Sequence, residues 1–333
     1  MRLLVTGHLG FIGSHFVAYA LAQSKDVQVI GFNRNSDQGN LRRLDMIPFL
    51  HRDRLKSVWG DLTDPAAMSG LCEGIDVVVH FAAKTFVDHA IRDPLPFLES
   101  NIIGSHNLMN EATRCKVKRY VQVSTDEVYG QILTGAYKED ATLNPRNPYS
   151  WTKAAADLDA IWRHRTYGFP CIITRTENNF GPWQHRQKAL PTFTRCALNN
   201  EPLPVYGDGG HVRCWLHVNQ HCAAIWHLIG YSEEFRPSHF GPHQHQTLGE
   251  VFHVAGEDEL TNLDLAKLIL RTLDKPEDMI RFIPDAQARP GHDRRYALDC
   301  SKLKATGFSI KQDLPKALAE CVRWYADNED WTR

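Results

Sequence analysis

Arg2-Leu3-Leu4-Val5-Thr6 runs directly into Gly7-His8-Leu9-Gly10-Phe11-Ile12-Gly13. The first five residues are a short apolar run, as a buried strand requires. After the loop the spacing turns helical, with Phe11, Ile12, Phe16, Val17, Ala20 and Leu21 apolar. Glycines between a strand and a helix let the backbone turn tightly and approach a pyrophosphate, whose charge meets the amides of the helix N-terminus. The spacing is G-x-x-G-x-x-G, not G-x-G-x-x-G, but the physics is shared. Gly7, Gly10, Phe11, Ile12 and Gly13 are therefore read as a dinucleotide loop. Three glycines alone would equally suit a tight turn, so the flanking strand and helix give the reading its weight.

Further strands are expected at 27–32, 76–81, 118–124 and 171–174. The unbroken Val77-Val78-Val79 suits a strand covered on both faces. Helical spacing falls near 63–73, 95–115 and 149–167. Alternation of this kind predicts an α/β fold with a doubly wound parallel sheet. Beyond about residue 180 Pro, Gly and His become frequent, and helices are expected near 187–199, 219–230, 261–273 and 314–327. The expected division is a dinucleotide-binding domain over 1–177, with a returning segment near 215–232, and a smaller mixed substrate domain over 178–333.

Composition narrows the function classes. Of 333 residues 43% are hydrophobic and 23% charged, which excludes a disordered chain. A net charge of -1 leaves no basic stripe for nucleic acid. Eight scattered cysteines without C-x-x-C fit neither a disulfide scaffold nor a zinc module, and point to a reduced, cytosolic setting. The apolar run before Gly7 is too short for a signal peptide, and no 18-residue apolar stretch exists to span a membrane. His239, His243 and His245 have no acidic or cysteine partner at ligand spacing, so no metal is expected.

Tyr149 and Lys153 are four apart and share a face if helical. A neighbouring ammonium would lower the phenol pKa, making Tyr149 a base for an alcohol proton. The pair follows Ser124-Thr125, whose hydroxyls can orient the same oxygen, and Asp126-Glu127 sets two carboxyls beside it. Alone, the Tyr/Lys pair would suit a solvated amphipathic helix and the carboxyls a solvated strand end. Asp61-Leu62 could read an adenine edge, or could simply neighbour a helix cap at Thr63. Asn33 occupies the position, at the end of the second strand, where a carboxylate would bind ribose. Without that charge Arg34 could pair with a 2′-phosphate, leaving NADP open.

In these motifs the chain resembles an extended short-chain dehydrogenase/reductase, and more narrowly the nucleotide-sugar 4,6-dehydratases of the dTDP-glucose type. The likeness runs through the Gly7–Gly13 loop, Phe81-Ala82-Ala83, Asn101-Ile102-Ile103-Gly104, Thr125-Asp126-Glu127-Val128-Tyr129-Gly130 and Tyr149–Lys153. It continues through Asn178-Asn179-Phe180-Gly181-Pro182, Pro204-Val205-Tyr206-Gly207 and Arg213 to Arg289-Pro290-Gly291-His292-Asp293-Arg294-Arg295-Tyr296. The resemblance implies oxidation of an NDP-hexose at C4, loss of water across C5 and C6, and hydride return to C6. Tyr149 would take the O4 proton, Thr125 hold O4, Lys153 hold the cofactor ribose, Glu127 act as base at C5 and Asp126 as acid at C6. NAD is the implied cofactor, with Phe81, Ala82, Ala83, Ser100 and Asn179 joining the residues above around it. Thr85, Asn178, Lys188, Pro204, Tyr206, Arg213, His253, Arg289 and His292 would meet the nucleotide sugar. A homodimer is implied through the helices near 95–115 and 149–167, by way of Leu98, Ile102, Ile103, Leu108, Leu158, Ile161 and Trp162.

The chain departs from that pattern at Asn33, at Lys84-Thr85-Phe86 where Glu-Ser-His is usual, at His253 where relatives place Asn, and at Cys214 where Asp is common; the loop 131–147 is also short. Two other functions stay open. One is a nucleotide-sugar epimerase or decarboxylase, which needs Tyr149 and Lys153 but not the paired carboxyls. The other is a non-catalytic dinucleotide-binding regulator, which needs none of them.

Overall fold

The structure is a computed structural model that describes residues 1–230, 248–284 and 293–332. The positions singled out at Arg289, His292, His239, His243 and His245 lie outside the described residues. Twelve strands are described: β1 (Arg2–Thr6), β2 (Gln28–Asn33), β3 (Leu55–Trp59), β4 (Val77–His80), β5 (Arg119–Thr125), β6 (Cys171–Thr176), β7 (Asn178–Phe180), β8 (Leu203–Tyr206), β9 (Val212–His217), β10 (Val251–Val254), β11 (Glu259–Thr261) and β12 (Ile280–Ile283).

Seven of them form one parallel sheet in the order β10-β6-β5-β4-β1-β2-β3. Successive side chains on a strand face opposite sides, so an all-apolar strand must feed two cores. Leu3, Val5, Val77 and Val79 enter one core, under the helices Phe11–Gln23 and Val218–Gly230. Leu4 and Val78 enter the other, under the helices Gly104–Arg114 and Pro148–Tyr167. Each such buried side chain contributes roughly 1.5–3 kcal/mol of burial free energy. The doubly wound fold is the one expected.

The helix Val218–Gly230, from the C-terminal half, packs on this sheet in its first core. A second segment of the C-terminal half returns as well: β10 pairs with β6 and completes the sheet. The remainder carries the mixed three-stranded sheet β11-β9-β7 and the pair β12-β8 around a third core, which includes Phe180, Phe193, Leu203, Trp215, Ile269 and Tyr325.

Two expected helices differ in detail. The region near 63–73 is helical only over Pro65–Met68, and left-handed turns at Gly70 and Gly74 then lead into β4. The region near 95–115 is interrupted by a π-helical turn over Leu98–Ile103. That wide turn swings Asn101 inward. Its side chain accepts from the Lys84 amide at 2.8 Å and donates to the Lys84 carbonyl and the Thr152 hydroxyl, both at 3.0 Å.

β1 has β2 on one side and β4 on the other, so crossovers from its carboxyl end leave in both directions and open a crevice there. Gly7 sits at this point with φ +71, and a Cβ on it would lie 2.8 Å from the Ala82 amide nitrogen. Gly7→Ala therefore carries backbone strain of about 1–3 kcal/mol plus a backbone clash. The expected outcome is a lower urea midpoint with an unchanged slope.

Candidate active site

A cavity of about 750 Å³ lies over the carboxyl ends of β1, β4, β5 and β6, and the C-terminal half supplies its other wall. It brings together Gly7, Gly10, Phe11, Ile12, Gly13, Phe81, Ala83, Thr85, Thr125, Asp126, Glu127, Tyr149, Lys153, Asn178, Asn179, Lys188, Pro204, Tyr206 and Arg213. These are most of the residues singled out from sequence, gathered from positions 7 to 213.

At the glycine loop the helix Phe11–Gln23 begins with no side-chain cap, so its first amides are available to a ligand. Gly13 leaves no room for a side chain, since a Cβ there would lie 2.3 Å from the Gly7 carbonyl oxygen. A bare, closely packed loop of this kind fits a pyrophosphate.

The expected ribose and adenine contacts are arranged differently. Asn33 does not line the cavity; it accepts from the Leu9 amide at 3.0 Å and donates to Asp37 at 3.0 Å. Arg34 is paired with the same Asp37 carboxylate at 3.2 Å. Asp61 caps its own turn through the Thr63 amide and hydroxyl, at 2.9 and 2.8 Å, and Leu62 is buried in the core beneath. Ala82 packs under the loop and Ser100 sits on the π turn, both off the cavity wall.

The reactive corner is built at the end of β5. Thr125 caps a 3-10 turn over Asp126–Tyr129, accepting from the Glu127 amide at 3.3 Å and donating to Asp126 at 2.9 Å. Burial and the Glu127 charge push the Asp126 carboxyl up to about 7, against the Thr125 hydrogen bond and the Arg213 charge. Burial also raises Glu127, opposed by a 3.1 Å hydrogen bond from Asn147 and by the Lys188 and Arg213 charges. Asp126 therefore keeps a proton close to neutrality beside a second carboxyl, as an acid next to a base in one site requires.

The helix Pro148–Tyr167 brings in Tyr149 and Lys153. It starts with a reciprocal capping box between Asn147 and Ser150 and with Pro148 in its first turn, and it stops at Gly168 with φ 68. The expectation that Lys153 lowers the Tyr149 pKa does not hold in this geometry. Burial, then the Glu127 and Asp126 charges, drive Tyr149 far up, and only its hydrogen bond with Thr125 opposes them. Lys153 donates to the Val123 carbonyl at 2.7 Å, and burial lowers it to about 8. A desolvated ammonium committed to a carbonyl cannot offset two carboxyls beside the phenol.

On the opposite wall Arg213 donates to the Asp293 carbonyl at 2.9 Å and lies 4.7 Å from the Tyr296 ring centre. Lys188 stands at the start of the helix Ala189–Leu198, 4.9 Å from the Phe86 ring centre. His253 is a correction. As part of β10 it is fully buried behind the cavity, its ring nitrogens held by the Tyr129 hydroxyl at 2.7 Å and the Asp299 carbonyl at 3.0 Å.

The sequence matches the GDP-mannose 4,6 dehydratase family over residues 4–321. The chain belongs to that family. It is 40% identical to a dTDP-glucose 4,6-dehydratase of Streptomyces niveus, over 99% of this chain and 94% of that one. It is similar, with a TM-score of 0.88 and 39% identity over 99% of this chain and 98% of the other, to the crystal structure of the dTDP-glucose 4,6-dehydratase DesIV from Streptomyces venezuelae, solved with NAD bound. A UDP-N-acetylglucosamine 4-epimerase of Methanobrevibacter ruminantium has a TM-score of 0.84 but 26% identity, over 98% of each chain.

Within this dehydratase-family cavity, four contributors escaped the sequence reading. Asn147 both caps the Pro148–Tyr167 helix and donates to Glu127. Asn101, within a motif quoted above, ties the Lys84 loop to that helix. Arg43 reaches the Leu9 carbonyl at 2.9 Å and the Trp183 carbonyl at 3.0 Å, with the Trp331 ring centre 4.9 Å away. No local motif marks it. Glu177 follows β6, is 4% exposed, and neither of its oxygens has a partner of good geometry among the described residues. Burial, then the Asp126 charge, push it well above the usual carboxylate range.

Two measurements test this corner. Asn147→Ala removes both the cap and the donor to Glu127, whereas Asn147→Ser can keep the cap. Alanine should lower stability by about 1 kcal/mol in urea, with serine close to wild type, while both slow turnover. For Asp126 the folded pKa of about 7 exceeds the unfolded value of about 3.9, so the folded state holds the proton more tightly. That stability is complete below the unfolded value and is lost as pH rises through about 7. In urea unfolding from pH 4 to 8, the stability of wild type relative to Asp126→Asn should fall as pH rises toward 7.

Proposed function

We propose that the chain is an NAD-dependent nucleotide-sugar 4,6-dehydratase, converting an NDP-hexose such as dTDP-glucose to the NDP-4-keto-6-deoxyhexose. The observation that carries the reading is the placement of Asp126, buried and holding a proton near neutrality, beside the Glu127 carboxyl in one cavity with Tyr149. An epimerase needs the Tyr149–Lys153 pair and the glycine loop but has no use for an acid and a base at two further carbons. A regulator needs none of the three.

When bound, the nicotinamide supplies a hydride acceptor for C4 and a hydride donor for C6. Thr125 is assigned to orient O4, and Tyr149 to receive the O4 proton. The resulting ketone acidifies C5–H, which Glu127 removes while Asp126 protonates the departing C6 hydroxyl. Arg213 and Lys188 are assigned to the diphosphate, with Asn178 beside them, and Tyr206 and Pro204 to the base. Arg289 and His292 stay assigned to the nucleotide sugar from sequence alone.

NAD is favoured over NADP by Asp37. Its carboxylate engages Asn33 and Arg34 together, so a negative charge again stands beside the residues that would face a 2′-phosphate. A homodimer is part of the proposal. Ile103, Trp151, Leu158 and Trp162 expose large apolar surfaces on the π turn and the Pro148–Tyr167 helix, whereas Leu108 is fully buried in the core and Ile161 packs against it. A cytosolic setting completes the reading: among the described residues no helix is long and apolar enough to cross a membrane.

The test is a panel of dTDP-, UDP-, CDP- and GDP-hexoses incubated with NAD and followed by mass. One class should lose water and give a 4-keto product that absorbs in alkali. Tyr149→Phe should cut the rate by about 10²–10⁴. Glu127→Gln should allow oxidation but not water loss. A product of unchanged mass would make this an epimerase, and loss of carbon dioxide a decarboxylase.

A further inference from the structure

Arg43 carries a charge that no described residue neutralises. Its side chain lines the cavity and the residue is only 4% exposed, yet every acceptor it meets is uncharged. Nη1 donates to the Leu9 carbonyl at 2.9 Å and to the Asn40 side-chain oxygen at 2.7 Å, and Nε donates to the Trp183 carbonyl at 3.0 Å. No carboxylate pairs with it among the described residues. Arg163 and Arg175 are comparably buried, and each holds a carboxylate at 2.9 Å. Burial without a counter-charge is costly, unless a ligand brings the opposite sign. Nη2 is the nitrogen left for that ligand, since it donates to no described residue and keeps access to solvent.

The position of Arg43 says which ligand. Leu9 lies inside the glycine loop, one residue before Gly10, which is the N-cap of the helix Phe11–Gln23. The uncapped amides of that helix and the guanidinium would therefore meet the same anion. The short C-terminal helix Glu329–Thr332 holds Arg43 in place. The Trp331 ring centre lies 4.9 Å from the guanidinium carbon. The indole N–H of Trp331 donates to the Gln184 carbonyl at 2.9 Å, and its ring meets the Trp183 ring edge-on at 5.0 Å. Asp330 pairs with the neighbouring Arg42 at 2.5 Å.

We propose that Arg43 is a clamp on the dinucleotide pyrophosphate and that Trp331 is the positioning residue that sets it, so that the last helix of the chain fastens the cofactor in its loop. This inference rests on the dehydratase reading, in which hydride taken from C4 returns to C6 and the dinucleotide ends each cycle as it began. A cofactor regenerated in place does not have to leave between turnovers. A clamp that joins the glycine loop to Trp183 in the C-terminal half therefore does not slow the cycle.

The test loads the enzyme with labelled NAD and chases it with unlabelled NAD. Wild type is compared with Arg43→Met, Trp331→Leu, Trp331→Phe and the double variant Arg43→Met/Trp331→Leu, each shown to be folded by urea unfolding. Arg43→Met should speed release by roughly 10- to 100-fold, as loss of a charge-assisted hydrogen bond implies. Trp331→Leu should speed it by less, and Trp331→Phe, which keeps a ring beside the guanidinium, should fall between leucine and wild type. In the double variant Trp331→Leu should add nothing to Arg43→Met, because Trp331 acts through Arg43. Additive acceleration would overturn the positioning role. Release of NAD from Arg43→Met at the wild-type rate would overturn the clamp. So would a loss confined to binding of the nucleoside diphosphate of the accepted sugar nucleotide, measured separately by calorimetry. Should Arg43→Met not fold, Arg43→Gln keeps a polar head without the charge and repeats the comparison. If wild type holds no NAD, the functional reading fails first. If wild type dehydrates the sugar nucleotide while Arg43→Met keeps its NAD, only the clamp is lost.

Discussion

Two sequence-adjacent carboxyl groups at the end of β5 face one cavity, and their mutual repulsion is the constraint the site is built around. In water a pair of this kind would simply ionise. Here burial makes the second charge costly, so a proton is retained close to neutrality. The surrounding groups serve to grade that repulsion. Thr125 holds Asp126, Asn147 holds Glu127, and the Arg213 charge lowers both. The parallel sheet matters because it delivers the ends of four strands to one place, where short turns can present these side chains with their backbones pinned.

The same repulsion reaches the phenol. Tyr149 shares the pocket, so each carboxylate opposes its ionisation. Lys153 stands one helical turn away and is tied to the Val123 carbonyl. The helix carrying both residues is anchored below by Asp157, which accepts from Ser124 and from Arg175 at 2.9 Å each. The Pro148–Tyr167 helix and the carboxyl-bearing strand are thus fastened through polar groups as well as by apolar packing, which holds a crowded set of acidic groups at fixed distances.

What could be read from sequence was what depends on short-range spacing. The glycine loop, the Tyr149–Lys153 pair and the run Thr125-Asp126-Glu127 each declare themselves within a few residues, and all meet at the cavity. The misreadings involve distance. His253 is assigned to the ligand from the position where relatives place an Asn, whereas β10 pairs with β6 and turns the imidazole toward Tyr129. Asn33 and Arg34 looked available to a ribose or a phosphate, yet Asp37, one turn further on, engages both. Asn147 was invisible as a support for Glu127 because only the closing of the loop 131–147 brings the two together. The π turn at Leu98–Ile103 breaks the 3.6-residue rhythm that would have marked the outward face, and so Asn101 points inward.

β10 also bears on how such proteins can be recombined. Its backbone completes the edge of the cofactor-side sheet, yet it is encoded after the helix Val218–Gly230 and after most of the sugar-side wall. A graft that exchanged everything beyond β7 for the counterpart of a relative would also replace that edge strand and the helix lying over the first core. Exchange of specificity is therefore better sought in small insertions around the β8 and β9 turns than in a transplanted half, because the boundary that looks natural along the chain cuts through a shared hydrogen-bonded sheet.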